Sequence, residues 1–209
     1  VSVPHNWGTY HGYRRLLHGN RHGYAGYRKT FKITKESGDK RYFLYFEGVG
    51  SYATIWLNGK KVGYHAGGRT TFTLDITEAI LLDGENILAV RADHPASIRN
   101  LPWVCGGCSE ERGFSEGSQP MGIFRPVRLQ VTNTTRIEPF GVHIWNDTTV
   151  SETSAQLHLA TEIKNYSTYK KNITLISRLI DSEGNFVTSV ENSKDIAPGN
   201  TLAVKQETP

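Results

Sequence analysis

The chain has 209 residues, 24 Lys and Arg against 20 Asp and Glu, 37% hydrophobic residues and two cysteines. That length accommodates one large sandwich or two smaller domains, and no run is apolar enough to span a membrane or biased enough to be a low-complexity tail. The sequence opens at "VSVPHNW" as a fragment trimmed at both ends would, so the absence of a targeting segment says nothing about the compartment; a periplasmic or secreted location is an expectation that does not rest on it.

In chain order, the first stretch is irregular. "YHGYRRLLHGNRHGYAG" is rich in Tyr, His, Arg and Gly, and no acidic residue occurs before Glu36. Alternation of period two then begins, with Phe31 and Ile33 on one face of "YRKTFKI" and apolar residues on both faces of "RYFLYFE", as in a strand between two sheets.

Asn58-Gly59 stands between two alternating runs, "SYATIWL" and "KKVGY", which predicts a β-hairpin on a type I′ turn. Counting outward pairs Ile55 with Val62 and Ala53 with Tyr64 on a core face, and sets Trp56 opposite Lys61 on an amphipathic face, where the ring is read as packing rather than as a sugar platform. The glycines of "YHAGGRTTF" are read as structural, permitting a close crossing toward the next strand. Phe72, Leu74 and Ile76 share a face of "TTFTLDI". "TEAILLDG" predicts one short helical turn capped by Thr77 and ended by Gly84.

A second irregular stretch runs from Asp93 to Gly122, longer than the roughly 12 to 15 residues beyond which an unstructured loop is usually functional. Alternation resumes with Ile123, Val127, Leu129 and Val131, and continues in "AQLHLATEIKN" with Ala155, Leu157, Leu159 and Ile163 inward. The class is all-β. Up to Arg136 the Lys and Arg outnumber the Asp and Glu 18 to 11, and from Ile137 onward the ratio is 6 to 9. With "VTNTTRIEPF" at the change, the predicted domains are 1–136, long enough for a jelly roll, and 137–209, short of the roughly 100 residues of a complete immunoglobulin-like sandwich.

Several chemistries were weighed on these residues. Cys105 and Cys108 form C-x-x-C, but no second ligand pair follows, and His18 and His22 lie among glycines rather than on a helix; neither a metal nor another cofactor is expected. Arg14, Arg15, Arg21, Arg28 and Lys29 interleaved with tyrosines would suit nucleic acid, yet no nucleic-acid fold signature accompanies them. Glu110, Glu111 and Glu116 share one glycine-rich loop, a poor scaffold for two fixed catalytic carboxylates, so no catalytic residue is assigned.

Seven motifs then stand in register: "VPHNW", "HGY", "GYRKTFKI", "FEGVGSYATIWLNGKKVGYHAGG", "FTLDIT", "GENILAVRA" and "GIFRPVRL". In this order they resemble the N-terminal sugar-binding domain of glycoside hydrolase family 2, the β-galactosidase, β-glucuronidase and β-mannosidase group. "SAQLHLATEIKN" and "LISRLIDSEGNFV" resemble the start of that family's immunoglobulin-like domain. The resemblance implies a galactose-binding-like jelly roll followed by a truncated immunoglobulin-like sandwich. Two catalytic glutamates, about 5 to 5.5 Å apart in retaining enzymes, would sit on a TIM barrel of about 250 residues further along.

It also implies that loops of this domain reach the barrel mouth, where an Asn and an Asp touch the sugar. The Asn, seven residues past an "HGY", lands on Asn20; the Asp, six before the Gly of a "GIFR", lands on Glu116, a carboxylate one methylene longer. Ser118 replaces the usual Trp, and "PWVCGGCSEERGF" is an expansion, so the pocket departs in detail. A surface pairing of Glu116 with Arg112 or Arg125 is the competing reading. The partner implied is a carbohydrate shared with the barrel, in an enzyme that is a homo-oligomer candidate, with neither nucleic acid nor membrane expected. A free-standing lectin remains the alternative from another class.

Overall fold

The structure, a computed structural model, describes residues 1–7, 23–95 and 120–208. Regular structure among them is all strand: β1 (Gly23–Lys32), β2 (Lys40–Phe46), β3 (Tyr52–Leu57), β4 (Lys60–Ala66), β5 (Phe72–Asp75), β6 (Glu85–His94), β7 (Val127–Asn133), β8 (Thr135–Asn146), β9 (Leu157–Asn165), β10 (Lys171–Ile180), β11 (Phe186–Ile196) and β12 (Thr201–Glu207). The chain divides into two compact units, one of Val1–Gly38 and Tyr42–Val131, the other of Asp39–Arg41 and Thr132–Pro209.

In the first unit a four-stranded sheet, β1-β6-β3-β4, and a three-stranded sheet, β5-β2-β7, enclose one core. Ala53, Ile55, Leu57, Leu88, Val90 and Ala92 come from the larger sheet, and Tyr42, Leu44, Phe46 and Phe72 from the smaller. The alternation of "YATIWL" and "ENILAVRA" is what turns one face of each strand inward. β2 is the centre of its sheet, and Phe43 on its other face is buried too, in keeping with a strand apolar on both sides.

The hairpin forms at the predicted turn, with Asn58 at φ 52° and Gly59 at φ 80°, both in the region a type I′ turn requires. Its register differs from simple counting. Trp56 does face Lys61, but a bulge follows, so that Ile55 pairs with Gly63, Thr54 with Tyr64 and Ala53 with His65. The cause lies across the core: a Cβ on residue 63 would run into the Leu74 side chain, so the strand passes Leu74 on a glycine. The bulge turns Tyr64 outward. Trp56 lies on the outer face opposite Lys61 as expected, half-buried and outside the core cluster.

Further along, the amides of Gly67 and Gly68 both donate to the Ser51 carbonyl, so the crossing is as close as the glycines suggested. "TEAILLDG" forms hydrogen-bonded turns rather than a helix. Asp75, not Thr77, caps it, its carboxylate accepting from the Thr77 N–H at 3.0 Å and hydroxyl at 2.7 Å. Buried Asn86 then takes over the backbone: its Oδ1 accepts from Leu81 N–H and its Nδ2 donates to Leu81 O. A side chain that satisfies both groups of one residue removes the need for a helical ladder.

The second unit has a three-stranded sheet, β12-β9-β8, and a two-stranded one, β10-β11. Ile163 and Val204 from the first meet Leu175 and Ile196 from the second. Thr161 is buried between the inward positions of β9, whereas Ala155 precedes the strand and is exposed, not inward as alternation suggested. β7 and β8 lie in different sheets on either side of the change in charge.

Candidate functional site at one rim of the first unit

Five segments meet at one end of the first unit. The N-terminal "VPHNW" runs beside "MGI": His5 N–H donates to Ile123 O at 2.6 Å, Trp7 N–H to Met121 O at 3.4 Å, and Met121 N–H to the Asn6 side-chain oxygen at 3.2 Å. Gly122 and Gly50 exchange both backbone hydrogen bonds at 3.0 Å. Next to Gly50, Ser51 N–H donates to Asp93 O, and the Ser51 hydroxyl lies 2.9 Å from His94 Nδ1, both side chains buried. His94 pairs with Gly23 at the ends of β6 and β1.

Tyr27 ties the rim to the sheet. Its hydroxyl is 2.9 Å from His5 Nδ1 and accepts from Ile123 N–H at 3.4 Å, and the two rings meet edge-on at 5.8 Å. Burial raises the Tyr27 phenol above its ordinary range, the Ile123 hydrogen bond opposing it in part, so the hydroxyl stays protonated at neutral pH. Beside it Gly122 has φ 90°, and a Cβ there would meet the Tyr27 hydroxyl, His5 O and the Trp7 ring. Only glycine fits that crossing.

The topology therefore gathers Trp7, Gly23, His94 with Pro95, and Pro120 at one rim. These are the roots of segments 8–22 and 96–119. Asn20 and Glu116 belong to those segments and lie outside the described residues, as do Cys105, Cys108, Glu110, Glu111, Arg112 and Ser118. Among the described residues no group of three or more His, Cys, Asp and Glu side chains is placed to hold a metal, and no helix is long and apolar enough to cross a membrane. The supporting residues His5, Ser51 and His94 are not singled out by the sequence, and Tyr27 stands out there only as one of the tyrosines interleaved with basic residues. Gly50 and Gly122, two glycines inside otherwise well-patterned motifs, were the available signal of a close backbone approach.

Two facing β-sheets enclosing one core define the first unit as a β-sandwich, with Trp7, Gly23, Pro95 and Pro120 at one rim. Residues 1–133 match the glycosyl hydrolases family 2 sugar binding domain, and the chain belongs to that family. A β-glucuronidase of Formosa agariphila is 27% identical over 98% of this chain and 22% of its own length; a β-galactosidase of Bacteroides ovatus is 31% identical over 88% of this chain and 20% of its own. Among solved structures, Bacteroides uniformis β-glucuronidase 2 superposes with a TM-score of 0.82 at 26% identity, covering all of this chain and 24% of that protein. The chain thus spans about a fifth to a quarter of the length of these relatives.

Proposed function

We propose that this chain is the non-catalytic N-terminal part of a longer β-glycosidase, acting on a β-galactoside or β-glucuronide, and that its first unit lends two loops to the rim of an active site carried elsewhere. The observation that carries this reading is the convergence of the four roots, Trp7, Gly23, Pro95 and Pro120, on one end of a family 2 sugar-binding sandwich. Asn20 stands three residues before Gly23 and Glu116 four before Pro120, so both are close in sequence to those roots. Their chemistry suits sugar hydroxyls: an amide donates and accepts, and a carboxylate accepts charge-assisted hydrogen bonds. The second unit is assigned to an immunoglobulin-like domain, with the boundary near residue 136.

A pocket shared with another domain makes the chain alone a poor binder. Calorimetric titration of this chain with methyl β-galactoside or methyl β-glucuronide should show millimolar affinity at best, about −4 kcal/mol, and no hydrolysis of nitrophenyl glycosides. Micromolar affinity would instead establish a free-standing lectin, and turnover would refute the non-catalytic assignment.

A further inference from the structure

The outer face of the four-stranded sheet carries a second arrangement, away from the core and built by strand register. Tyr24 on β1 and Tyr52 on β3 both pair with Asp93 on the intervening β6, so the two tyrosines flank one carboxylate at an inter-strand spacing of about 4.8 Å each. One row along, Arg91 pairs with Thr54, and Thr54 with Tyr64. The bulge in β4 is what puts Tyr64 on this face, where its ring stacks with Tyr52 at 6.2 Å and 20°. Tyr24 is 72% and Tyr64 55% exposed.

Arg91 joins the rows. It holds Asp93 through two contacts, at 2.8 and 2.6 Å, and its guanidinium lies 4.6 Å from the centre of the Tyr24 ring. The third row runs Arg28, Ala89, Trp56, Lys61, its aromatic ring between two cations. We propose that this face is a platform for an acidic oligosaccharide, one bearing a carboxylate on its sugar rings. Aromatic rings offer apolar faces to the C–H side of a pyranose, and the Arg91–Asp93 pair offers adjacent donors and acceptors to its hydroxyl edge. Among the described residues of the three rows Asp93 is the one acidic side chain, and it already faces Arg91, so Arg28 and Lys61 give these rows a net positive charge. A nucleic acid would suit the cations and rings but would bring closely spaced phosphates against the Asp93 carboxylate.

The first row of this face adjoins the rim, since Tyr24 follows Gly23 and Asp93 precedes His94, but the proposal does not use the rim's loops and is tested by substitutions on the face itself. This chain is titrated with tetragalacturonate, with neutral galactotetraose and with a single-stranded oligothymidylate. Tetragalacturonate should bind saturably and about tenfold or more tighter than either of the others. Tyr24→Ala and Tyr64→Ala, at exposed positions that leave the thermal midpoint in place, should each weaken it about tenfold. Equal affinity for the neutral sugar, tighter binding of oligothymidylate, indifference to both tyrosines, or burial of the face in a dimer seen by sedimentation would each overturn it.

Discussion

At Gly122 the backbone holds φ 90° with the Tyr27 hydroxyl, His5 O and the Trp7 ring crowding the place of a side chain. Gly122→Ala should therefore cost about 2 kcal/mol or more in denaturant unfolding, while Gly26→Ala, in open space at an ordinary φ, should be neutral or slightly stabilising. Equal effects at the two sites would mean that the rim is not the tight crossing described. His65 offers a pH test. Its ring stacks on Phe72 at 4.1 Å and bonds Thr70, and burial lowers its pKa. A lowered folded-state pKa means that the unfolded chain takes up the proton first, so stability holds above about pH 6.5 and falls as pH drops toward the folded pKa. Asp147, Asp181 and Asp195 are also lowered, each by hydrogen bonds, and act only in the more acidic range of their own titration. Unfolding midpoints measured across pH 7 to 5 should decline, and His65→Gln should flatten that decline; an unchanged slope would assign it to another group.

The strands show what a linear pattern conveys. Asn58-Gly59 identified its turn because both positive φ angles are a property of those two residues, and the alternation of β3, β6 and β9 identified inward faces because the pleat has period two. The bulge escaped notice because its cause, Leu74, is on β5 in the facing sheet. The turn at "TEAILLDG" departs from the helical expectation because side chains outside it satisfy its backbone: Asn86 on β6, and Asn58 in the hairpin turn after β3, whose Nδ2 donates to Ala79 O at 2.9 Å. Deleting Val62, the residue left without a partner between Trp56–Lys61 and Ile55–Gly63, should test the bulge: the pairs beyond it keep their register and Tyr64 its face, while the contact of Val62 with the core is lost at a cost of about 1 kcal/mol or more. A deletion variant as stable as the parent would show the bulge to be dispensable.

Across the whole chain the two units differ in core size. Among the described residues thirteen buried apolar side chains form the first cluster and four the second, while Ile144, Ile180 and Phe186 of the second unit are exposed. Hydrogen exchange should accordingly release the amides of β9 and β12 before those of β2 and β3, and the reverse order would contradict that ranking. The rim was legible only in pieces: "VPHNW" and "GIFRPVRL" stood out as motifs, but their pairing across more than a hundred residues is a product of topology. The most direct test of the central claim is kcat/KM of the longer enzyme carrying Glu116→Gln, with Glu110→Gln as the neighbouring control. If Glu116 reaches the sugar through a contact that tightens in the transition state, its variant should lose about tenfold or more, roughly 1.4 kcal/mol, while the control keeps its rate. Equal and undiminished turnover by both variants would show that this domain's loop does not serve the active site.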